Sequence, residues 1–484
     1  MKVALINSPF KPEHGNFSRS SRSPAITKSG TLYYPIWLAY ATGALQENGH
    51  EVLLLDSCAE QFNTDEILRK LENFKPSLVV VDTSTPSIEN DVECAANFKQ
   101  ISATPFICLV GTHPSILTDE VMSMSDSIDA IARKEYDYTI LELAECLENG
   151  GSLNNVCGLS FRNNEMITHN PDREYIENLD EIPFVTKVYN EHLNVNNYFF
   201  AASEYPMVMI ITGRGCPSHC FFCVYPQTFH GHKYRLRSAK NVVDEFQYVV
   251  ENMPHIKSIG IEDDTFTANP VRVRDICQLI IERGIEKKIN WWANTRVNLD
   301  YETMVFMKKA GCRLVIPGFE SGDQQILNNI RKGIKIEHSI KFVENAKRAG
   351  LLVHGCFMVG NKGETRESME KTLQFALQLN TDTAQFFPLI PYPGTEAYHW
   401  SKENECLTTN NFSEWLTDNG LHQCVLNLPD LSNHDLVDFC DKARKKYYLR
   451  PKYILYKLGQ VIKSSDERKR TIKSFKKFYK FLLK

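Results

Sequence analysis

Three cysteines stand in the run Gly213-Arg214-Gly215-Cys216-Pro217-Ser218-His219-Cys220-Phe221-Phe222-Cys223, spaced C-x3-C-x2-C. Thiolates at this spacing on one loop can hold three irons of a [4Fe–4S] cluster, whose irons are ordinarily bound by cysteine. The fourth iron would then be open to a substrate or cofactor, which separates a catalytic cluster from an electron carrier fully ligated by cysteine. A structural zinc site made of the same thiols with His219 or a distant ligand is the alternative. Structural zinc usually takes two separated pairs, and Cys220-x2-Cys223 has no second C-x2-C partner in the chain. Most of the other cysteines sit singly in apolar stretches, Cys108 and Cys356 among them. Such thiols are expected to pack as small hydrophobes rather than to form a disulfide framework.

A loop of this kind needs a scaffold, and the pattern around it supplies one. From Pro206 onward, short apolar runs at 207–212, 256–262, 289–294, 313–318, 352–359 and 383–389 alternate with helical patterns such as 239–252, 270–283 and 365–379. Six β-α units in succession predict an incomplete barrel, with the cysteines on the loop after its first strand. Sites in such barrels collect at the carboxyl ends of strands. Those ends carry Glu262, Asp263 and Asp264, then Arg296, then Glu320 and Ser321, then Gly360. Carboxylates can take an ammonium or ribose hydroxyls, a guanidinium can take a carboxylate, and backbone beside glycine can take a purine edge. Each also has an ordinary alternative: Asp263-Asp264-Thr265 as a helix cap, Arg296 as a surface ion pair, Glu320-Ser321 as a cap for a helix near Gln324.

The first 148 residues show the same alternation, with runs at 2–7, 51–56, 77–82, 105–111 and 129–133. They predict a doubly wound parallel sheet whose ligand sits beyond the strand carboxyl ends. There lie Ser8, Thr83, Ser84, Gly111 and His113. The loop Ser8-Pro9-Phe10-Lys11-Pro12-Glu13-His14-Gly15 lacks the spaced glycines that let a backbone approach a pyrophosphate, so a dinucleotide fits poorly. Residues 149–202 read as a linker with some structure, including a hairpin around Arg162-Asn163-Asn164, and 401–484 as a basic helical extension.

The cysteine motif, placed on a partial (β/α)6 barrel, resembles that of the radical S-adenosylmethionine (SAM) enzymes, over about residues 206–400. The resemblance makes Cys216, Cys220 and Cys223 the cluster ligands, with SAM chelating the open iron. It puts Gly260-Ile261-Glu262-Asp263-Asp264 at the SAM amino group, with Arg296, Glu320, Ser321 and Gly360 as further SAM-binding positions. In Gly360-Asn361-Lys362-Gly363-Glu364-Thr365, lysine stands where the family has proline. With Tyr33-Tyr34-Pro35-Ile36-Trp37-Leu38-Ala39, Gly49-His50-Glu51-Val52 and Gly111-Thr112-His113-Pro114 added, the chain resembles the subclass with an N-terminal, Rossmann-like cobalamin-binding domain. Ser8, Thr83, Ser84, Gly111 and His113 are then the cobalamin-binding positions. The D-x-H-x-x-G signature that supplies a lower axial histidine is absent from residues 1–148, so no histidine ligand to cobalt is expected.

The resemblance implies a [4Fe–4S] cluster, SAM and cobalamin as cofactors, and ferredoxin or flavodoxin as electron donor. Reductive cleavage of SAM to a 5′-deoxyadenosyl radical would then functionalise an unactivated carbon, with cobalamin-dependent methyl transfer the leading outcome. The runs GRGCPSHCFFCVYPQTFHGHKYRLRS, DDTFTAN and GFESGDQQILNNIRKG resemble hopanoid-biosynthesis-associated members. These imply the second outcome, ring contraction of a sugar or cyclitol on a lipid head group. A non-catalytic protein that senses cobalamin or redox state is the contrasting class; it would not release 5′-deoxyadenosine.

Composition bounds the rest. The 484 residues are 43% hydrophobic and 24% charged, as in ordinary globular proteins. The longest strongly apolar run, Pro206-Met207-Val208-Met209-Ile210-Ile211-Thr212, is far below the roughly 20 residues that cross a bilayer. The N-terminal run is too quickly broken for a signal peptide, so a cytoplasmic protein is expected. The net charge of −4 is uneven: residues 441–484 carry +13 and residues 1–440 carry −17. The basic end interleaves aromatics (YYLRPKYILYKLG, FKKFYKFLLK), a pattern of either a solvated helix face or a peripheral contact with an anionic membrane surface. No nucleic-acid partner is expected; the substrate is a small or lipid-linked molecule.

Overall fold

Apolar runs separated by helical patterns form two parallel sheets. The structure, a computed structural model, describes residues 1–463 except Ser21, Lys28 and Glu165. In the first sheet, β1 (Lys2–Asn7), β2 (Glu51–Asp56), β3 (Leu78–Asp82), β4 (Phe106–Val110) and β5 (Ala130–Ala132) pair in parallel in the order β2-β1-β3-β4-β5. Strand β3 is buried along its whole length, as a strand between two helical layers must be. The order reverses between β1 and β3, so a crevice opens beyond Asn7 and Asp82.

The stretch 149–202 is more than a connector. Its expected hairpin forms from β6 (Leu159–Asn163) and β7 (Met166–His169), which join the sheet antiparallel beyond β5. The short strand β5 would otherwise leave an open row of backbone donors and acceptors. Helix Val185–His192 then packs against helix Ile36–Glu47.

The second sheet is all parallel and runs in chain order: β8 (Met207–Ile210), β9 (Ser258–Ile261), β10 (Asn290–Thr295), β11 (Cys312–Glu320), β12 (Leu352–Val359) and β13 (Thr383–Pro388). It is the expected partial barrel. Its outer helices start where a side chain can satisfy their free N–H groups: Ser238 accepts from Asn241 N, Asn269 from Arg272 N, and Thr365 from Ser368 N. The Tyr34 hydroxyl donates to Met207 O at 2.8 Å, and that of Tyr40 meets Ile211 N and O at 3.1 and 3.3 Å. One continuous apolar core therefore joins the two sheets.

The C-terminal extension is only partly helical. Helices Glu396–Glu403, Asn433–Tyr448 and Pro451–Lys463 flank a segment, 404–431, that is largely irregular. Its buried Phe412, Trp415, Cys424, Val425, Leu426 and Leu431 follow no helical period. They seat the segment across both halves, with the turn Phe412–Trp415 against Thr85–Ser87. Among the described residues no helix is long and apolar enough to cross a membrane. The run Phe475-Lys476-Lys477-Phe478-Tyr479-Lys480 lies outside the described residues.

Candidate active site

The cysteine loop is held from several sides. Gly215 turns it at φ +85°, and a Cβ there would lie 2.2 Å from Lys233 O, so only glycine lets the two backbones approach. Cys216 N donates to Gly231 O and Phe221 N to Ile330 O. The Gln227 amide donates to the carbonyls of Cys220, Phe221 and Cys223 at 3.2, 3.4 and 2.8 Å. Arg296 Nη1 donates to Ser218 Oγ at 2.7 Å, and the His232 ring stacks on His219 with centroids 4.0 Å apart. Burial pushes the Cys216 and Cys223 thiols up, and each feels the charge of Cys220. Three thiols on one clamped loop fit a cubane cluster, whose cysteine ligands bind separate irons. Among the described residues no three His, Cys, Asp or Glu side chains are arranged to hold a single ion.

Beside this loop the strand ends converge, though not every expected residue faces the same way. Glu262 and Asp264 meet the guanidinium of Arg22, which reaches over from the first half: Arg22 Nη1 lies 2.6 Å from Glu262 Oε2, and Nη2 lies 3.4 Å from Asp264 Oδ1. Asn294 Nδ2 also donates to Glu262 Oε2, at 3.0 Å. Glu320, at φ +61°, pairs with Lys332 Nζ at 2.6 Å, and Arg296 Nη2 donates to Lys332 O at 2.8 Å. Lys332 had no signal in the strand-end pattern, since it follows a helix. Asp263 departs from expectation: its fully buried carboxylate accepts from Thr212 N and Thr212 Oγ1, both at 2.6 Å, and so braces the end of β8. Ser321 is likewise buried, against Thr372 Oγ1 at 3.0 Å. The capping alternatives fall to other residues, Asp323 for helix Gln324–Asn329 and Asn269 for Pro270–Glu282.

Three buried polar atoms near these ends, Thr265 Oγ1, Thr295 Oγ1 and Asn361 Oδ1, have no hydrogen-bond partner. Buried polar atoms are normally satisfied, so the strand ends suit a ligand with donors. Gly360, at φ +86°, opens the loop that carries Asn361; a Cβ there would touch Leu436 at 3.0 Å. Burial raises the Glu364 carboxyl of the same loop to about 7, although Ser368 and Asn361 donate to it.

Between the two sheets lies a narrow cavity of about 20 Å³, lined from both halves: by Arg19, Arg22, Trp37, Asp82, Thr83, Gly111 and Tyr136 on one side and by Tyr225, Phe229 and Tyr392 on the other. Its position beyond β1, β3 and β4 is the expected crevice. Gly111 has φ +128°, and a Cβ there would lie 2.3 Å from Thr83 O, so the residue forms part of a cradle that a side chain would fill. Tyr136 Oη is buried with no partner. Burial raises the Asp82 carboxyl to about 7 despite the nearby Arg19 guanidinium. Aromatic faces with a few polar groups are the lining chemistry that a flat, polar-edged macrocycle takes, and the space open between them is far smaller than such a ring.

Of the five expected residues here, Thr83 and Gly111 line the cavity and the other three do not. Ser8 is buried, with its carbonyl taken by Arg19 Nη1 at 2.6 Å; Ser84 Oγ meets Ser87 Oγ at 2.7 Å. The His113 ring is buried, bonded to Thr85 Oγ1 at 3.2 Å and edge-on to Phe412. Burial lowers its pKa to about 3. The aromatic lining was visible in the sequence only as Tyr-Tyr-Pro-Ile-Trp and Val-Tyr-Pro-Gln-Thr-Phe, which read equally as core.

The two walls are locked together by buried charges. Arg214 pairs with Asp137 at 2.7 and 3.1 Å, while Glu135 accepts from His230 Nδ1 at 2.9 Å and from Arg235 Nη1 at 2.9 Å. Donors from the barrel and carboxylates from the first half thereby fix the cavity width. Removing one member of such a buried pair costs about 3–5 kcal/mol.

Comparison with known proteins matches this geometry to its relatives. Residues 22–144 match the B12 binding domain model and residues 210–376 the radical SAM superfamily model. The chain is 33% identical over 427 residues to an uncharacterized methyltransferase of Pyrococcus horikoshii, covering 88% of this chain and 90% of the relative. It is 24% identical over 384 residues to the hopanoid C-3 methylase of Methylococcus capsulatus, covering 78% and 70%. In fold it is similar to the radical S-adenosylmethionine methyltransferase TsrM of Kitasatospora setae, solved with cobalamin and a [4Fe-4S] cluster, with TM-score 0.72 at 16% identity and 99% of each chain covered. With both family models in this order, and one relative matched along nine-tenths of its length, the protein belongs to the cobalamin-binding radical SAM enzymes.

Proposed function

We propose that this enzyme transfers a methyl group from SAM, by way of cobalamin, to an unactivated carbon of a small or lipid-linked substrate. The observation that carries this is the shared cleft. Arg22 lines the cavity between the sheets and in the same side chain meets Glu262 and Asp264 beside the cysteine loop. Two cofactors seated at these positions would meet across the Arg22 side chain. The relatives named above act as methyltransferases by name, and the hopanoid relative is a methylase, which favours methyl transfer over ring contraction.

In this reading Cys216, Cys220 and Cys223 hold the cluster, Glu262 and Asp264 take the SAM ammonium, and Glu320, Lys332 and Arg296 take its remaining polar groups. Thr83, Gly111 and Tyr136 seat the corrinoid within residues 1–148, extended by the hairpin, and 203–400 form the catalytic barrel. When bound, the cluster supplies an electron to SAM and the corrinoid carries the methyl group. The chain's own part is to hold both at fixed distance and keep water out. A ferredoxin or flavodoxin would supply the electron, and the protein would work in the cytoplasm, with its basic end against a membrane surface.

The test is anaerobic incubation of cluster-reconstituted protein with dithionite and SAM. With hydroxocobalamin, S-adenosylhomocysteine and 5′-deoxyadenosine should both form. Release of 5′-deoxyadenosine alone, unchanged by cobalamin, would favour a rearrangement, and release of neither would favour a sensor.

A further inference from the structure

The last described helix, Pro451–Lys463, is amphipathic in an inverted sense. Its aromatics reach the barrel through their polar tips: Tyr453 is buried and donates to Asp382 O at 2.8 Å, and Tyr456, itself 38% exposed, donates to the Asp382 carboxylate. Lys457 is buried beside them, with Nζ 5.8 Å from the Tyr453 ring centroid. Four of its aliphatic residues face outward. Ile454, Leu455, Leu458 and Ile462 are 44%, 69%, 52% and 84% exposed, and their spacing of i, i+1, i+4 and i+8 sets them along one stripe. An isolated exposed leucine is ordinary, but a helical stripe of four large aliphatics exposed in a row marks a surface made to be covered.

We propose that this stripe is a membrane-docking face that inserts into the interface of an anionic lipid leaflet. Two further facts favour that occupant. Lys452 on this helix and Lys442 on the preceding one are exposed, and residues 441–484 carry +13 against −17 on the rest of the chain. The charge complement of this end is therefore a negative surface, and the acidic remainder would be held off it. Aliphatic residues on one face with lysines around it is the pattern of an interfacial helix, in which apolar burial and attraction to anionic head groups add. A second copy of the chain would instead bring two strongly basic ends together. The preceding helix is pinned to the barrel by Tyr447 and Tyr448, which donate to Thr381 O and Ala384 O, both at 2.6 Å. Docking would thus hold the whole barrel at the lipid surface. Access to a lipid-linked substrate from there rests on the proposed methyltransferase function; the docking face itself does not.

Full-length protein sedimented with phosphatidylcholine vesicles containing one-third phosphatidylglycerol should bind, and should bind pure phosphatidylcholine vesicles poorly. Leu455→Glu with Leu458→Glu, at positions that are already exposed, should lower binding to the anionic vesicles by about tenfold or more. The variant should still release 5′-deoxyadenosine as the wild type does. Undiminished vesicle binding by the variant would overturn the proposal, as would equal binding to neutral and anionic vesicles. So would a wild-type dimer in sedimentation velocity that the substitutions dissociate, which would assign the stripe to a second copy. The binding readout needs no cluster, SAM or corrinoid, so its failure leaves the methyltransferase reading standing, and failure of that reading leaves lipid binding standing.

Discussion

Arg22, carried on a loop after β1, places its guanidinium 2.6 Å from the Glu262 carboxylate at the end of β9 and 2.8 Å from the Glu262 carbonyl oxygen. A cation from the first half thus fills the position proposed for the SAM ammonium in the second. Occupancy of that position by SAM requires the guanidinium to move, and Arg22 also lines the cavity between the sheets.

Arg22→Ala should therefore bind SAM more tightly than the wild type, because a competing cation is gone. Glu262→Gln, Arg296→Ala and Glu320→Ala should each bind it more weakly with the cluster retained. One charge-assisted hydrogen bond is worth about 1.5–3 kcal/mol, or about ten- to a hundredfold in affinity. Equilibrium dialysis of reconstituted protein with labelled SAM measures all four. Weaker binding by Arg22→Ala would show that the guanidinium contacts SAM instead of competing with it.

The cysteine loop makes a separate prediction. Anaerobic reconstitution should load about four irons per chain, and alanine at Cys216, Cys220 or Cys223 should abolish the iron–sulfur absorbance. Cys108→Ala, deep in β4, should leave iron content unchanged and lower thermal stability only. Stoichiometric zinc without iron–sulfur absorbance in the wild type would contradict the cluster assignment.

Gly111 tests the cavity. Valine there would meet Thr83 O inside the cradle, so hydroxocobalamin should no longer stay with the protein through gel filtration. Iron content should be unaffected, because the cysteine loop lies on the other sheet. Corrinoid retention equal to the wild type would move the cofactor away from Gly111.

Asp82 supplies the pH dependence. Its carboxyl is raised by burial from the ordinary range to about 7, so the folded state binds a proton that the unfolded state releases near pH 4. Stability contributed by this group is present below the unfolded pKa and is lost as pH rises through the folded one. Asp82→Asn should consequently melt near the wild type at pH 4, gain on it progressively up to about pH 7, and hold a constant advantage above. Thermal melts of both proteins across that range check the sign, and a gain that shrinks with rising pH would refute it.

The sequence by itself determined the elements and the metal-binding chemistry. Runs such as Leu78-Val79-Val80-Val81 and Phe106-Ile107-Cys108-Leu109-Val110 can be buried on both faces only in a parallel sheet, and three cysteines within eight residues are brought together by local chain geometry alone. The strand-end residues were legible as positions for the same reason. Which way they point was not: Asp263 and Glu262 are adjacent, yet one braces Thr212 and the other meets Arg22. That choice is made by partners about 50 and 240 residues away in sequence, and alternation along a strand says nothing about them. The cavity between the sheets is also a tertiary product. Trp37, Tyr136, Tyr225 and Tyr392 carry no spacing rule, and become one lining only because a shared apolar core, with the Arg214–Asp137 and Arg235–Glu135 pairs at its edge, sets two separate sheets face to face. The outward turn of Leu455 and Leu458 likewise depends on what the helix meets, since the hydroxyls of Tyr453 and Tyr456 find Asp382 in the loop before β13 and Tyr453 takes the inner face.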